Sequence, residues 1–287
     1  MSRPLALALV AASILFLGAA PRPAKETPDP NSVVYGAMAN AGSIPAQAEA
    51  LAALAWPLGP GDPRVQAKAK EELVNFADQG MEAIWKAIRE AEPADKADAV
   101  DTLILAFRRL SGGMPPVYLP ALDDAIWFGT REARLLAIPE ISRFRMQSPV
   151  LTIIDAAIED PEVLPVAVDA LGSMQDARAR FFLERVLHEG KPGIRERAAV
   201  SLSRLGEPGR TILKSATRSD GKEIRLAAIR ALLPVATVDD ISSFYDYGRA
   251  HADDDPATAK AVEAATLVLE KVLESQRALD VASPTPR

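Results

Sequence analysis

The sequence predicts an all-α fold, a solenoid of about seven helical hairpins. Three observations carry that prediction. An apolar template recurs at a near-constant interval, and shorter apolar helices fill the gaps between its copies. Of the 287 residues 48% are hydrophobic but only 5% aromatic, which suits close-packed, alanine-rich helices better than sheets. The template is a β-branched residue, alanine four positions on, leucine eight on and an apolar residue eleven on. It reads Val163/Ala167/Leu171/Met174, Ile194/Ala198/Leu202/Leu205 and Ile224/Ala228/Leu232/Val235. These offsets share one side of a helix with 3.6 residues per turn. Starts at 163, 194 and 224 have the interval of stacked supersecondary units.

The template extends both ways. Val65/Ala69/Leu73/Phe76 fits fully. Ala99/Leu103/Phe107/Leu110, Ala133/Ala137/Ile141/Phe144 and Ala257/Ala261/Ala265/Val268 fit loosely. Shorter apolar helices are expected at 81–88, 117–127, 150–158, 180–187, 211–216 and 238–247. A helix over 46–56 caps the first full unit. Pro63, Pro161 and Pro256 each follow an aspartate, as at helix starts, where a missing N–H costs nothing. Pro139 falls inside an expected helix, where a kink or break is predicted.

Three stretches carry a family resemblance. LTIIDAAIEDPEVLPVAVDALGSM (151–174) reads as an outer helix, an Asp-Pro turn and an inner helix. GIRERAAVSLSRLG (193–206) and EIRLAAIRALL (223–233) carry an Ile-Arg start and the Ala/Leu spacing. They resemble HEAT repeats, in particular the short bacterial HEAT-like or PBS-lyase type. The resemblance covers roughly 62–273. It implies a right-handed α-solenoid whose second helices line a concave binding face. The family is defined by architecture, so no catalytic residue is carried over.

The remaining chain sets limits. There is no cysteine, hence no disulfide, thiol chemistry or lipid-bearing cysteine. The formal charge of −6 disfavours a nucleic-acid partner. Residues 5–20 are uncharged and almost wholly apolar after Arg3, so 1–20 reads as a secretory signal peptide, cleaved near Ala19 or Ala20. With it removed, no stable membrane span is expected. Residues 21–34 form a proline-rich linker, 35–274 the solenoid and 275–287 a disordered tail. The expected location is periplasmic or extracellular.

Candidate chemistry is sparse. His251-Ala-Asp-Asp-Asp-Pro256 could hold a hard metal, but further ligands are not evident and an acidic helix cap is the simpler reading. Ser219-Asp-Gly-Lys222 matches a Ser-x-x-Lys pattern without its partner motifs, at a point where the hairpin must turn. No catalytic residue, metal or cofactor is expected. Trp85 and Trp127 read as packing residues of outer helices. Phe244, Tyr245 and Tyr247 share a turn and point different ways, so at least one is exposed.

The arginines are more informative. Arg195 and Arg225 hold the same place in consecutive units, as ladder residues pairing with acids of the adjoining unit would. Arg109, Arg143 and Arg204 each lie ten residues after their unit's start, and complement the negative helix end. From 178 to 230 there are 13 bases and 6 acids. From 239 to 263 there are 7 acids and 2 bases. This segregation suggests a polarised surface near the concave side that includes Arg109, Arg143, Arg195, Arg204, Arg225 and Arg230. The partner would be a protein or peptide, an acidic one included, or an anionic envelope polymer. Two functions compete: an exported non-enzymatic scaffold, and an enzyme accessory or lyase- or chaperone-like protein acting on a client.

Overall fold

The computed structural model describes residues 28–110, 113–145, 149–251, 253 and 255–282. The expected signal peptide lies outside the described residues, and so does the first half of the linker, 21–27. The described chain is α1 (Pro30–Ala41), α2 (Ile44–Ala55), α3 (Pro63–Asn75), α4 (Ala77–Glu90), α5 (Pro93–Arg109), α6 (Tyr118–Phe128), α7 (Arg131–Ser142) and α8 (Val150–Glu159). There follow α9 (Leu164–Met174), α10 (Arg180–Glu189), α11 (Pro192–Arg204), α12 (Glu207–Ala216), α13 (Lys222–Leu232), α14 (Ile241–His251) and α15 (Pro256–Ala282). Three 3-10 turns, Ala177–Ala179, Leu233–Val235 and Val238–Asp240, join some of them. No strand occurs among the described residues.

Two boundaries differ from expectation. The linker expected to reach residue 34 gives way to helix at Pro30. The Asp29 carboxylate accepts from the Ser32 N–H at 3.2 Å, and Pro30 sits where its fixed φ suits a first turn. The tail expected from 275 is helical to Ala282, because no glycine or proline interrupts the sequence before Pro284.

The helices stack in two rows. Odd-numbered helices form one, even-numbered helices the other, and the main contacts link helices one or two places apart. Each unit is thus a hairpin contributing one helix to each row, and stability is built from neighbour to neighbour. The template residues point between the rows. Ala69, Leu73, Ala99, Leu103, Ala133, Ala137, Ala167, Leu171, Ala198, Leu202, Ala228 and Leu232 are all fully buried.

Two copies of the template are corrected. Val235 is exposed, because Pro234 follows the end of α13 and puts Val235 in a 3-10 turn off the helix. In the last unit the buried positions are Thr258, Val262 and Thr266, one residue later than Ala257, Ala261 and Ala265. Threonine reads as polar. Here each hydroxyl is satisfied locally, Thr266 donating to the Val262 carbonyl at 2.8 Å and Thr258 to the Asp255 carboxylate at 2.7 Å. Its methyl can then be buried.

The odd row is tightest between α9 and α11. A Cβ on Gly172 would lie 2.5 Å from the Ser201 Cβ. The Ser201 hydroxyl donates to the Val168 carbonyl at 2.8 Å, helix to helix. From α9 onward the odd row packs more closely than the even row. Farther toward the N-terminus tryptophans bridge helices, Trp56 from the end of α2 to α5 and Trp85 from α4 to α6. Trp56 Nε1 donates to Asp98 and Trp85 Nε1 to Asp124, both at 2.7 Å. Trp127 makes no such bridge and is 56% exposed, contrary to its expected packing role. α7 is not broken at Pro139; it continues to Ser142.

Candidate functional site

Alternation of the rows creates two long edges. Turns from odd to even helices share one edge, and turns from even to odd helices share the other. Both edges carry charge, but they handle it differently.

On the even-to-odd edge, arginines meet acids of a neighbouring helix. Arg131 meets Asp160 at 2.6 Å and Glu162 at 2.7 Å, and Arg134 meets Glu159 at 3.0 Å. Arg195 pairs with Glu223 and also donates to the Leu187 carbonyl at 3.0 Å. Arg225 is buried and donates to the Ser219 and Asp220 carbonyls at 2.7 and 2.8 Å, holding the turn that contains the Ser-x-x-Lys match. Asp255 caps α15, accepting from the Ala257 N–H at 3.1 Å, and pairs with Arg230. The bonds from Thr258 and Arg230 hold its carboxyl down at about 2.

The odd-to-even edge is different. It begins where α5 and α7 end. Glu140, only 4% exposed, accepts from three groups. The Tyr118 hydroxyl donates to its Oε1 at 3.0 Å. Arg143 and Arg108 donate to its Oε2 at 3.0 and 3.4 Å. Both arginine side chains stay mostly in solvent, 60% exposed for Arg108 and 64% for Arg143. An aromatic floor fixes the carboxylate. Tyr118 stacks on Phe107 with ring centres 4.0 Å apart, and Phe144 meets both rings edge-on. Burial, and then the Glu140 charge, push the Tyr118 hydroxyl above its usual range, so it stays a donor.

The edge continues into the next units. Arg145 donates to the Gln175 side chain at 3.5 Å, and Asp176 beside it holds Arg178 at 2.8 Å. Arg204 is exposed at the end of α11. Three of these turns reverse through the left-handed region at the same repeat position: Arg145 (φ 50°), Gln175 (φ 57°) and Gly206 (φ 70°). Glycine is the easy residue there, and arginine is retained at a cost of ~1 kcal/mol.

Of the six arginines singled out by sequence, Arg109, Arg143 and Arg204 lie at helix ends along this edge, Arg109 facing α3 and Arg143 beside Glu140. Arg195 and Arg225 lie at the opposite edge as structural ties. Arg230 lies between, shared by Asp255 and Glu196. They do not form one row. Arg108, Arg145, Glu140 and Tyr118 escaped notice. The available signal was Arg108-Arg109 and Arg143-x-Arg145, each closing a unit just before a proline-containing turn.

Two rows of helices joined by alternating turns define an α-solenoid repeat protein. Residues 148–233, which hold α8 to α13, match the family described as HEAT repeats. No curated protein matches the chain.

Proposed function

We propose that the protein is an exported, non-enzymatic scaffold that binds a protein partner through its stacked hairpins. HEAT repeats typically serve as interaction scaffolds, which supports the reading. One observation carries it furthest: exposed arginines of successive units gather on one edge, two of them over a single buried acid. Such a surface steers and orients an anionic partner. Export is motivated by residues 1–20, and the destination would be periplasmic or extracellular. Among the described residues no helix is long and apolar enough to cross a membrane.

Two measurements test this. Intact mass of the protein from its native host should show a start near Ala20 or Pro21. A soluble product retaining Met1 or Ser2 counts against export. A photo-cross-linker at position 109 should capture a defined exported protein, and capture should decline as salt rises, since exposed charges are screened over about 8–10 Å. Salt-independent capture would remove the edge from the reading.

A further inference from the structure

We infer that the ends of α5 and α7 form a docking site for an acidic peptide segment that also carries an apolar side chain, with Glu140 positioning its arginines. The inference rests on the scaffold reading and names the partner's chemistry.

The arginine pair comes first. Arg108 and Arg143 share one oxygen of Glu140, and each spends a single guanidinium nitrogen on it. A guanidinium has five N–H donors. The rest of each fork is left for a second carboxylate, and such bonds are charge-assisted and directional. Glu140 cannot swing away, because it is buried and its other oxygen is held by Tyr118. The two cations are therefore presented as a preorganised pair, with a net charge of +1 counting Glu140.

The apolar part comes second. Arg109 turns to the other side of α5, where it lines a shallow groove between α3 and α5 with Val74 and Leu105. Leu105 is 44% exposed. The two acids of that groove, Glu71 and Asp98, are engaged by Lys68 at 3.1 Å and Lys70 at 2.6 Å. A cationic end beside an apolar wall fits a peptide. A polyphosphate or anionic sugar polymer would leave the exposed Leu105 side chain unused.

The test uses the full chain and fluorescence anisotropy at low salt. The probes are labelled twelve-residue peptides of alternating Glu and Leu, Glu and Ser, and Lys and Leu. The Glu/Leu peptide should bind about tenfold tighter than Glu/Ser, and Lys/Leu should not bind. Arg108→Ala with Arg143→Ala should weaken Glu/Leu by about tenfold or more. Glu140→Gln is the sharper variant. It makes the edge more positive but loosens the pair, so positioning predicts weaker binding where bulk attraction predicts tighter. Leu105→Ser should erase the preference for Glu/Leu over Glu/Ser.

Arg109→Ala, at an exposed position, repeats the test should the Glu140 variant melt early. Tighter binding by Glu140→Gln overturns the proposal. So does equal binding of Glu/Leu and Glu/Ser with full displacement by polyphosphate, which would mark a general anion surface. If no peptide binds while cross-linking still captures an exported partner elsewhere on the chain, the site falls and the scaffold stands. If the peptides and variants behave as expected but nothing exported is captured, the site stands and the export reading falls.

Discussion

The units from α8 to α13 and those from α3 to α7 are held together by different means. The later units are regular. Small residues let α9 and α11 touch, as at Gly172 and Ser201. Several of their charges pair from helix to helix: Arg197 with Asp169, Arg195 with Glu223, and Arg210 with Asp240 just beyond α13. The earlier units rely on large aromatics. Trp56 and Trp85 bridge helices through aspartates, and Phe107, Tyr118 and Phe144 form one cluster. At the ends of α5 and α7, Arg108 and Arg143 share one carboxylate. Several cations of the regular units pair one-to-one with an acid of an adjoining unit. At the ends of α5 and α7 two cations share one acid and stay largely in solvent, so that end is the better place to seek a site.

The largest test of this contrast is Leu202→Asp. It places an unpaired charge in the seam of the regular units and should cost more than about 4 kcal/mol. Because contacts pass only from neighbour to neighbour, the aromatic cluster around Tyr118 should keep its near-ultraviolet signal after the later units melt. A single concerted melt would show that the two regions are one cooperative block.

Next is Arg210→Ala. Asp240 is fully buried, accepts from Arg210 and from the Thr237 N–H at 2.7 Å, and is ion-paired with Lys214 at 3.0 Å. Removing one cation should cost about 3 kcal/mol by denaturant titration. A loss under about 1 kcal/mol would mean that the ladder contributes little and the contrast lies in packing alone.

Acid provides a third test. Burial raises the Asp240 carboxyl, but the Thr237 N–H, Lys214 and Arg210 outweigh it and hold it below its usual range. Asp255 is lowered to about 2. Both folded values are depressed, so the unfolded chain binds protons first as pH falls. Their stabilisation is present above the ordinary carboxylate value of about 4 and lost as pH drops toward about 2. Hydrogen exchange at pH 3 should therefore speed up first around α12 to α15. Uniform acceleration along the chain would remove this distinction.

The smallest expected effect is Arg145→Gly. Glycine relieves the left-handed backbone at that position, and should raise stability by up to about 1 kcal/mol. It also removes a cation from the odd-to-even edge. Stability and acidic-peptide binding should therefore move in opposite directions. A protein that is stabilised and binds as before would place Arg145 outside the site.

Periodicity in the sequence was enough to give the hairpins, their order and most of the buried positions. A 3.6-residue period with alanine and leucine at fixed offsets has one efficient way to bury its face, so Ala198 and Leu202 were legible at once. It failed where chemistry masks burial. Thr258 and Thr266 look polar but satisfy their hydroxyls within their own helix, and Pro234 displaces Val235. The site was legible only in part. Arg109, Arg143 and Arg204 stood out by position along the chain, but so did Arg195 and Arg225, which tie the structure together. Sequence order says when a charge recurs; it does not say which acid lies across the interface. Arg143 meets Glu140 three residues away at the end of α7, but only the stacking of α5 against α7 set Arg108, 32 positions earlier, on the same carboxylate. Pairing is a property of neighbouring units, and the tertiary structure alone brings those units together.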